Sequence, residues 1–211
     1  MKAELLNYFG NDLMVVNAAR VSYGKFKDSL DEKDGKLIKY LVEHKHIAPF
    51  RHPQLQFRIS CPIFVERQLF KHQVGLSANS ISGRYVDFSD KYYYFNKLRI
   101  QSKSSKQGSY GELDRPDLLT RIRNHIELSS ELYKELCDSG VAKEQSRAIL
   151  PLCLETQFIW TGSLLAYIHF WNLRLKPDTQ EETRIIANEM LNLVKNIEGN
   201  PFKYTIEAFN L

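Results

Sequence analysis

The chain is poor in the features that would assign it quickly. Its 211 residues hold three cysteines, Cys61, Cys137 and Cys153. Their spacing makes neither a CxxC pair nor a zinc pattern, and an odd count argues against a disulfide framework. Lone cysteines of this kind read as buried apolar side chains rather than nucleophiles. No apolar run approaches the roughly 20 residues of a membrane-spanning helix, and the mean hydropathy is -0.38. The N-terminal stretch is interrupted by Glu4, Asn7 and Asn11, so it lacks a signal-peptide core and a cytoplasmic location is the expectation. Neither GxGxxG nor GxxxxGK[ST] is present, which leaves out the Rossmann and P-loop routes to a nucleotide. There is no internal repeat and no low-complexity tract.

What is there is ordinary globular composition, 43% hydrophobic and 26% charged, with a formal net charge of +4. That length supports one sizeable core, so residues 1–211 are expected to form one domain. Mild basicity suits anionic ligands such as nucleotides without specifying them. No Lys/Arg stripe interleaved with aromatics indicates a nucleic-acid surface outside the short 102–106 stretch.

Apolar periodicity predicts helices over 12–21, 30–45, 62–73, 116–139, 143–150, 179–197 and, capped by Thr161, from there to about Arg174. Gln54 to Cys61 alternates Leu55, Phe57, Ile59 and Cys61 with polar residues, the period of a half-buried strand. Residues 152–160 read as a second strand and 83–88 as a short third. Residues 75–81 and 102–114 read as loops, and 201–210 as a short terminal element. Helices of unequal length interrupt the strands, so a single mixed α+β domain, a central sheet flanked by helices, is expected rather than a doubly wound sheet.

Several stretches carry polar chemistry. On a continuous helix, Gln68 and His72 share a face, as do Arg67 and Lys71. Ser82-Gly83-Arg84 offers a hydroxyl, a closely approachable backbone and a guanidinium able to grip phosphate bidentately; a solvated turn would read the same way. Arg147 precedes an apolar turn and Pro151, where a helix-end cation and a pocket residue are indistinguishable. His169 and Arg174 frame an aromatic helix end. His44, His46 and His52 lie close together, yet no Cys and no HExxH accompanies them, so no metal site is expected.

Taken in order, these stretches resemble the flavin-dependent thymidylate synthase family, also called thymidylate synthase-complementing proteins. Ala19-Arg20-Val21-Ser22 is similar to its A-R-V-S. His44-Lys45-His46 with Pro49-Phe50 and His52 is similar to its H-x-H-x-x-P-F-x-H. Lys71-His72-Gln73, then Ser82 and Arg84-Tyr85, resemble its signature R-H-R…S…R-Y. Gly140 to Pro151 and Asn172-Leu173-Arg174, with Gln180 and Glu182 following, complete the set, and Lys106 to Ser109 matches a further loop phrase. The resemblance covers nearly the whole chain. It implies the thymidylate synthase-complementing fold and a homotetramer whose active sites are shared between subunits. It also implies FAD as cofactor, NADPH as reductant, methylenetetrahydrofolate as carbon donor and dUMP as the methylated substrate.

Carried over residue by residue, the resemblance implies that Ser22, His52, Lys71, His72, Gln73 and His169 contact FAD. It implies that Gln68, Ser82, Gly83, Arg84, Arg147 and Arg174 contact dUMP, with Arg147 coming from a neighbouring subunit and Arg174 and Ser82 in catalytic positions. Arg174 would polarise the pyrimidine, and no thiol nucleophile is needed. The chain also departs from the family. Lys71 and Gln73 replace the signature arginines, Ser80 stands where Glu or Gln is usual, Arg51 replaces an acid, and Leu165 stands where an arginine is expected. These departures keep two other readings open: alkylation of a different pyrimidine nucleotide, including a hydroxymethylated product, and a non-catalytic nucleotide-binding protein on the same fold.

Overall fold

The computed structural model describes residues 1–87, 91–103 and 107–211. Its centre is a four-stranded antiparallel sheet formed by β1 (Lys2–Phe9), β2 (Gln54–Pro62), β3 (Leu76–Ser80) and β6 (Glu155–Ser163), in the order β1-β2-β6-β3. β2 and β6 are the inner strands, and Phe57 faces Trp160 and Ile59 faces Phe158 across their ladder. Every second residue on each is buried, as period-2 alternation requires. The intervening positions form polar cross-strand pairs on the opposite face, Gln56 with Thr161 and Gln157 with Ser60, both at 3.0 Å.

Both inner strands run directly into helices. β2 becomes α3 (Ile63–Leu69) at Pro62, a residue suited to a helix start because it has no N–H to satisfy. β6 becomes α6 (Leu164–Arg174), capped by the Ser163 hydroxyl accepting from Ala166 N at 3.2 Å. Thr161, the cap expected from sequence, lies inside the strand. With α7 (Glu181–Lys195), these helices cover the apolar sheet face through Val65, Leu69, Tyr167, Trp171, Ile186, Met190 and Val194. A smaller core joins α1 (Asp12–Arg20), α2 (Glu32–Glu43) and the turn at 48–51 through Val15, Val16, Ile38, Leu41 and Phe50. Leu165 is buried in that core, so the departure from the expected arginine is an apolar packing position.

The first structural differences from the sequence expectations concern strands. Residues 76–80 form β3 rather than a loop. Gly162 makes this pairing possible: a Cβ there would lie 2.4 Å from the Gly75 carbonyl oxygen, which accepts from Ser163 N at 3.2 Å. The first eight-residue strand, β1, was not anticipated. Within 102–114 a strand, β5 (Ser109–Leu113), pairs with β4 (Leu98–Gln101) as a separate hairpin. Residues 83–87 form a turn, and the remainder of the expected 83–88 strand lies outside the described residues, as does Lys106 of the 106–109 phrase. The other differences concern helix ends and burial. α3 stops at Leu69, four residues before the expected end. The long helix α4 (Pro116–Asp138) buries only Ile126 and Tyr133, and Cys137 on it is half-buried rather than core. A short helix α5 (Lys143–Ser146) continues into a 3-10 turn at Arg147–Ile149.

The termini are tied by one carboxylate. Asp12, 1% exposed, accepts from Tyr204 N (2.7 Å), Thr205 N (3.2 Å) and Thr205 Oγ1 (2.6 Å). It thereby caps α8 (Lys203–Ala208), whose own preceding residue supplies no side-chain cap. Burial outweighs these hydrogen bonds and pushes its carboxyl up to about 6. A carboxyl raised in the folded state binds its proton more tightly there, so this contribution to stability diminishes as pH rises through about 6. Asp12→Ala is expected to lower the unfolding free energy by about 2 kcal/mol, since it leaves the N–H groups of half-buried Tyr204 and buried Thr205 without their acceptor; urea denaturation measures this.

Candidate active site

The C-terminal ends of α3 and α6 meet. Arg174, the last residue of α6, donates from Nε to His72 Nε2 at 3.0 Å and from Nη2 to the Gln68 carbonyl at 3.1 Å. The early end of α3 creates this arrangement: terminal helical carbonyls lack partners within the helix and attract a cation. His72 follows the helix in a turn closed by its own N–H to the Leu69 carbonyl at 3.0 Å. Its ring meets the Phe170 ring edge-on at 5.1 Å.

This contact fixes the imidazole's state. Arginine only donates, so His72 Nε2 must be an acceptor and the proton resides on Nδ1. Burial, reinforced by the neighbouring Arg174 charge, lowers the His72 pKa to about 4.

The Gln68 side chain is held at both ends of its amide. Its Oε1 accepts from Thr183 Oγ1 at 3.0 Å, and its Nε2 donates to Gln180 Oε1. Gln180 Nε2 in turn donates to Glu182 Oε2 at 3.0 Å. Glu182, 1% exposed, is paired with Arg99 of β4 at 2.8 Å. Burial raises its carboxyl, but the Arg99 and Gln180 hydrogen bonds prevail and hold it below its usual value. Gln68, Arg174, Gln180 and Thr179 line a cleft of ≈ 400 Å³ together with Gln107, Leu173, Lys176 and Asp178.

The remaining sequence-predicted residues lie elsewhere on the chain. Among the described residues, this cleft includes none of Ser82, Gly83, Arg84 or Arg147. Ser82 Oγ accepts from Arg84 N at 3.3 Å, Gly83 is buried, and Arg84 and Arg147 are exposed. Lys71, Gln73 and His169 are exposed too. His52 lines a separate, largely apolar groove of ≈ 620 Å³ with Phe9, Leu13, Met14, Val21 and Phe26, and exposed Ser22 follows Val21.

Two residues of the family-like motifs take other positions. Arg20 is structural, its Nη2 donating at 2.9 Å to the fully buried Asp34 of α2. Ser80 donates to Glu66 Oε1 at 2.9 Å, and burial raises the Glu66 carboxyl. Sequence reasoning missed Thr183, Arg99 and Glu66; only the Gln180 and Glu182 positions were signalled, by motif. Two of the thiols are held protonated: burial pushes Cys61 up to about 12 and also raises Cys153. No group of acidic, His or Cys side chains suited to a metal occurs among the described residues.

A half-buried arginine and an anchored amide stand side by side in a polar cleft on an α+β scaffold, chemistry suited to a small polar ligand with acceptor oxygens. Residues 4–198 match the family model described as thymidylate synthase complementing protein, and the chain belongs to that family. It is 39% identical over 191 residues to a flavin-dependent thymidylate synthase of Thermus thermophilus, covering 90% of this chain and 70% of the relative. Identity is also 39% over 208 residues to the enzyme of that name from Thermosipho africanus, covering 97% and 89%. Among solved structures, the UMP/dUMP methylase PolB from Streptomyces cacaoi, bound with 5-Br dUMP, superposes with a TM-score of 0.88 at 30% identity, covering 99% of this chain and 94% of that one. The same methylase bound with 5-Br UMP gives a TM-score of 0.83 at 29% identity, covering 99% and 93%.

The electrostatics give a direct test. His72 in the folded protein should titrate near 4 rather than near its usual 6.5, read from its imidazole NMR shifts. Because the pKa is lowered on folding, the contribution to stability is full above about 6.5 and is lost as pH falls towards 4. An ordinary midpoint would show that Nε2 does not accept from Arg174.

Proposed function

We propose that this chain methylates dUMP to dTMP, taking the carbon from methylenetetrahydrofolate and the hydride from a flavin reduced by NADPH. The observation that carries this reading is the placement of Arg174. Two of its guanidinium nitrogens are tied to His72 and Gln68, which leaves its remaining N–H donors for a ligand in the cleft that Arg174 lines. A guanidinium fixed before the substrate arrives stabilises developing charge without reorganising, and this electrostatic preorganisation needs no covalent nucleophile. Set against a pyrimidine oxygen, it polarises the ring so that the reacting carbon becomes more nucleophilic.

The residues present fit a flavin. The groove at His52 is walled by Phe9, Met14, Val21 and Phe26, a lining suited to a planar apolar ring, with the His52 imidazole among it and exposed Ser22 next in sequence to Val21. Lys71, Gln73 and His169 are exposed donors suited to a pyrophosphate, and the proton on His72 Nδ1 makes that ring a donor as well. When bound, a reduced flavin supplies the hydride that completes the methyl group. The chain's own residues hold the two ligands and orient the pyrimidine.

Two features support an assembly with shared sites, which we read as a cytoplasmic homotetramer. Arg84 and Arg147 are exposed away from the Arg174 cleft, so a phosphate grip completed by a second copy accounts for them. Val21, Tyr23, Phe26 and Val74 are apolar side chains 69–90% exposed, surface that a second copy would cover. No helix among the described residues is long and apolar enough to cross a membrane. A second reading, methylation of UMP as well as dUMP, is favoured by the likeness to a methylase described as acting on both. Product analysis with each nucleotide separates the two readings.

Purified protein supplied with FAD should be yellow, run as a tetramer, and form dTMP from dUMP, methylenetetrahydrofolate and NADPH. A colourless monomer without turnover would overturn the assignment. Arg174→Ala should reduce the rate about a hundredfold or more, roughly 3 kcal/mol, the scale of losing one preorganised donor. Arg174→Lys should not restore it, because an ammonium lacks the planar fork, while FAD stays bound in both variants. Cys137→Ser, Cys153→Ser and Cys61→Ala, provided they fold, should each retain turnover. Loss of activity in a folded single variant would indicate a thiol mechanism.

A further inference from the structure

We propose that Glu182 is a positioning residue that sets the polarity of the Gln180–Gln68 amide chain, so that Gln68 holds an N–H donor in a fixed place toward an acceptor oxygen of the bound nucleotide. The inference rests on the reading of Gln68 as a dUMP-contacting residue. A side-chain amide can turn over, exchanging its oxygen and nitrogen at almost no intrinsic cost, so an amide between two other amides has no preferred direction. A carboxylate removes that freedom because it only accepts. Glu182 therefore requires Nε2 of Gln180, 3.0 Å away. Gln180 must then turn Oε1 to Gln68, and Gln68 must answer with Nε2. The Gln68 oxygen is left for Thr183 Oγ1, at 3.0 Å from a residue that is fully buried.

Each direction follows from the one before it, and the series begins at the Arg99–Glu182 pair. Arg99, on the β4–β5 hairpin, keeps Glu182 ionised and hence acceptor-only. At the other end, Gln68 retains one N–H and one lone pair beyond these bonds, among the described residues, and it lines the cleft beside Arg174. Reversing the amide would exchange those two groups and set an oxygen against an oxygen of the ligand. Glu182 itself does not line the cleft, so it acts through Gln68 rather than by touching the nucleotide.

The test compares Glu182→Gln with Arg99→Lys, using calorimetric binding of dUMP, dCMP and deoxyuridine to the FAD-loaded protein. Glu182→Gln keeps shape but offers either a donor or an acceptor to Gln180, and so frees the chain's direction. Arg99→Lys disturbs the same buried pair yet leaves Glu182 ionised. Glu182→Gln should weaken dUMP binding about tenfold or more, the scale of one buried hydrogen-bonding group left unmatched, and Arg99→Lys by less than about threefold. A narrowed dUMP-to-dCMP ratio would place the acceptor on the ring, where cytosine carries an amino donor in place of a carbonyl. An equal loss for both, absent for deoxyuridine, would place it on the phosphate, and an equal loss for all three on the sugar or on the O2 carbonyl that both bases share. If Glu182→Gln does not fold, the double variant Arg99→Met/Glu182→Gln removes both charges together and should show the same loss. A folded Glu182→Gln protein that binds dUMP within about threefold of the unaltered protein overturns the proposal, as does an equal loss in Arg99→Lys. Failure of the unaltered protein to bind dUMP at all would instead remove the functional reading on which the proposal stands.

Discussion

The site depends on a cation being held by groups that carry no formal charge. Arg174 is half-buried, and its described partners are a neutral imidazole and a backbone carbonyl. A carboxylate partner would hold the guanidinium more strongly but would neutralise the field that an anionic substrate experiences. The arrangement works only while His72 stays unprotonated, and burial beside Arg174 secures that. The two states are thus linked: burial, with the arginine's charge, keeps the histidine neutral, and the neutral histidine leaves the arginine's charge available.

The scaffold delivers these groups by economy of connection. β2 and β6 pair antiparallel over their full lengths, and each turns into a helix without an intervening loop. The two helices therefore start from opposite ends of the ladder, and their C-terminal ends come together over the apolar face. Helix length sets the meeting point. Had α3 continued to residue 73, as its apolar and charged pattern suggests, the Gln68 carbonyl would accept from a helical N–H four residues on and be less available to Arg174.

What was legible in the sequence follows from burial. The α+β class, helices α1, α2 and α7 and the β2 strand carry strong periodicity because one face of each meets a core, whereas α4 was legible from its own Leu and Ile spacing although it buries only Ile126 and Tyr133. The elements that escaped lack such a face. β3, Leu-Ser-Ala-Asn-Ser, is an edge strand with four of its five residues exposed, and β5 is exposed throughout. β1 buries Ala3 alone. An edge strand is specified by its backbone pairing more than by side-chain alternation, so it reads as a polar loop. The site was legible only through family resemblance, because Gln68 is 112 residues from Gln180 and 115 from Thr183, separations at which no local pattern operates. Leu165 shows the converse: an absent arginine suggested a damaged site, whereas that position belongs to the packing between α6 and the α1–α2 core.

Ser80 can be understood in the same way. The family resemblance implies Glu or Gln at this position, and a hydroxyl looks like a lost acceptor. Yet its Oγ donates to Glu66 on α3, 2.9 Å away. β3 lies beside the helix that supplies Gln68, so a carboxylate on that helix comes within hydrogen-bonding distance of residue 80. A carboxylate is therefore present beside residue 80, and the serine serves as its donor. A glutamate at 80 would bring a second negative charge against Glu66, whose carboxyl burial already raises, and like charges at such range do not ionise independently. Serine at 80 and glutamate at 66 are thus mutually consistent choices.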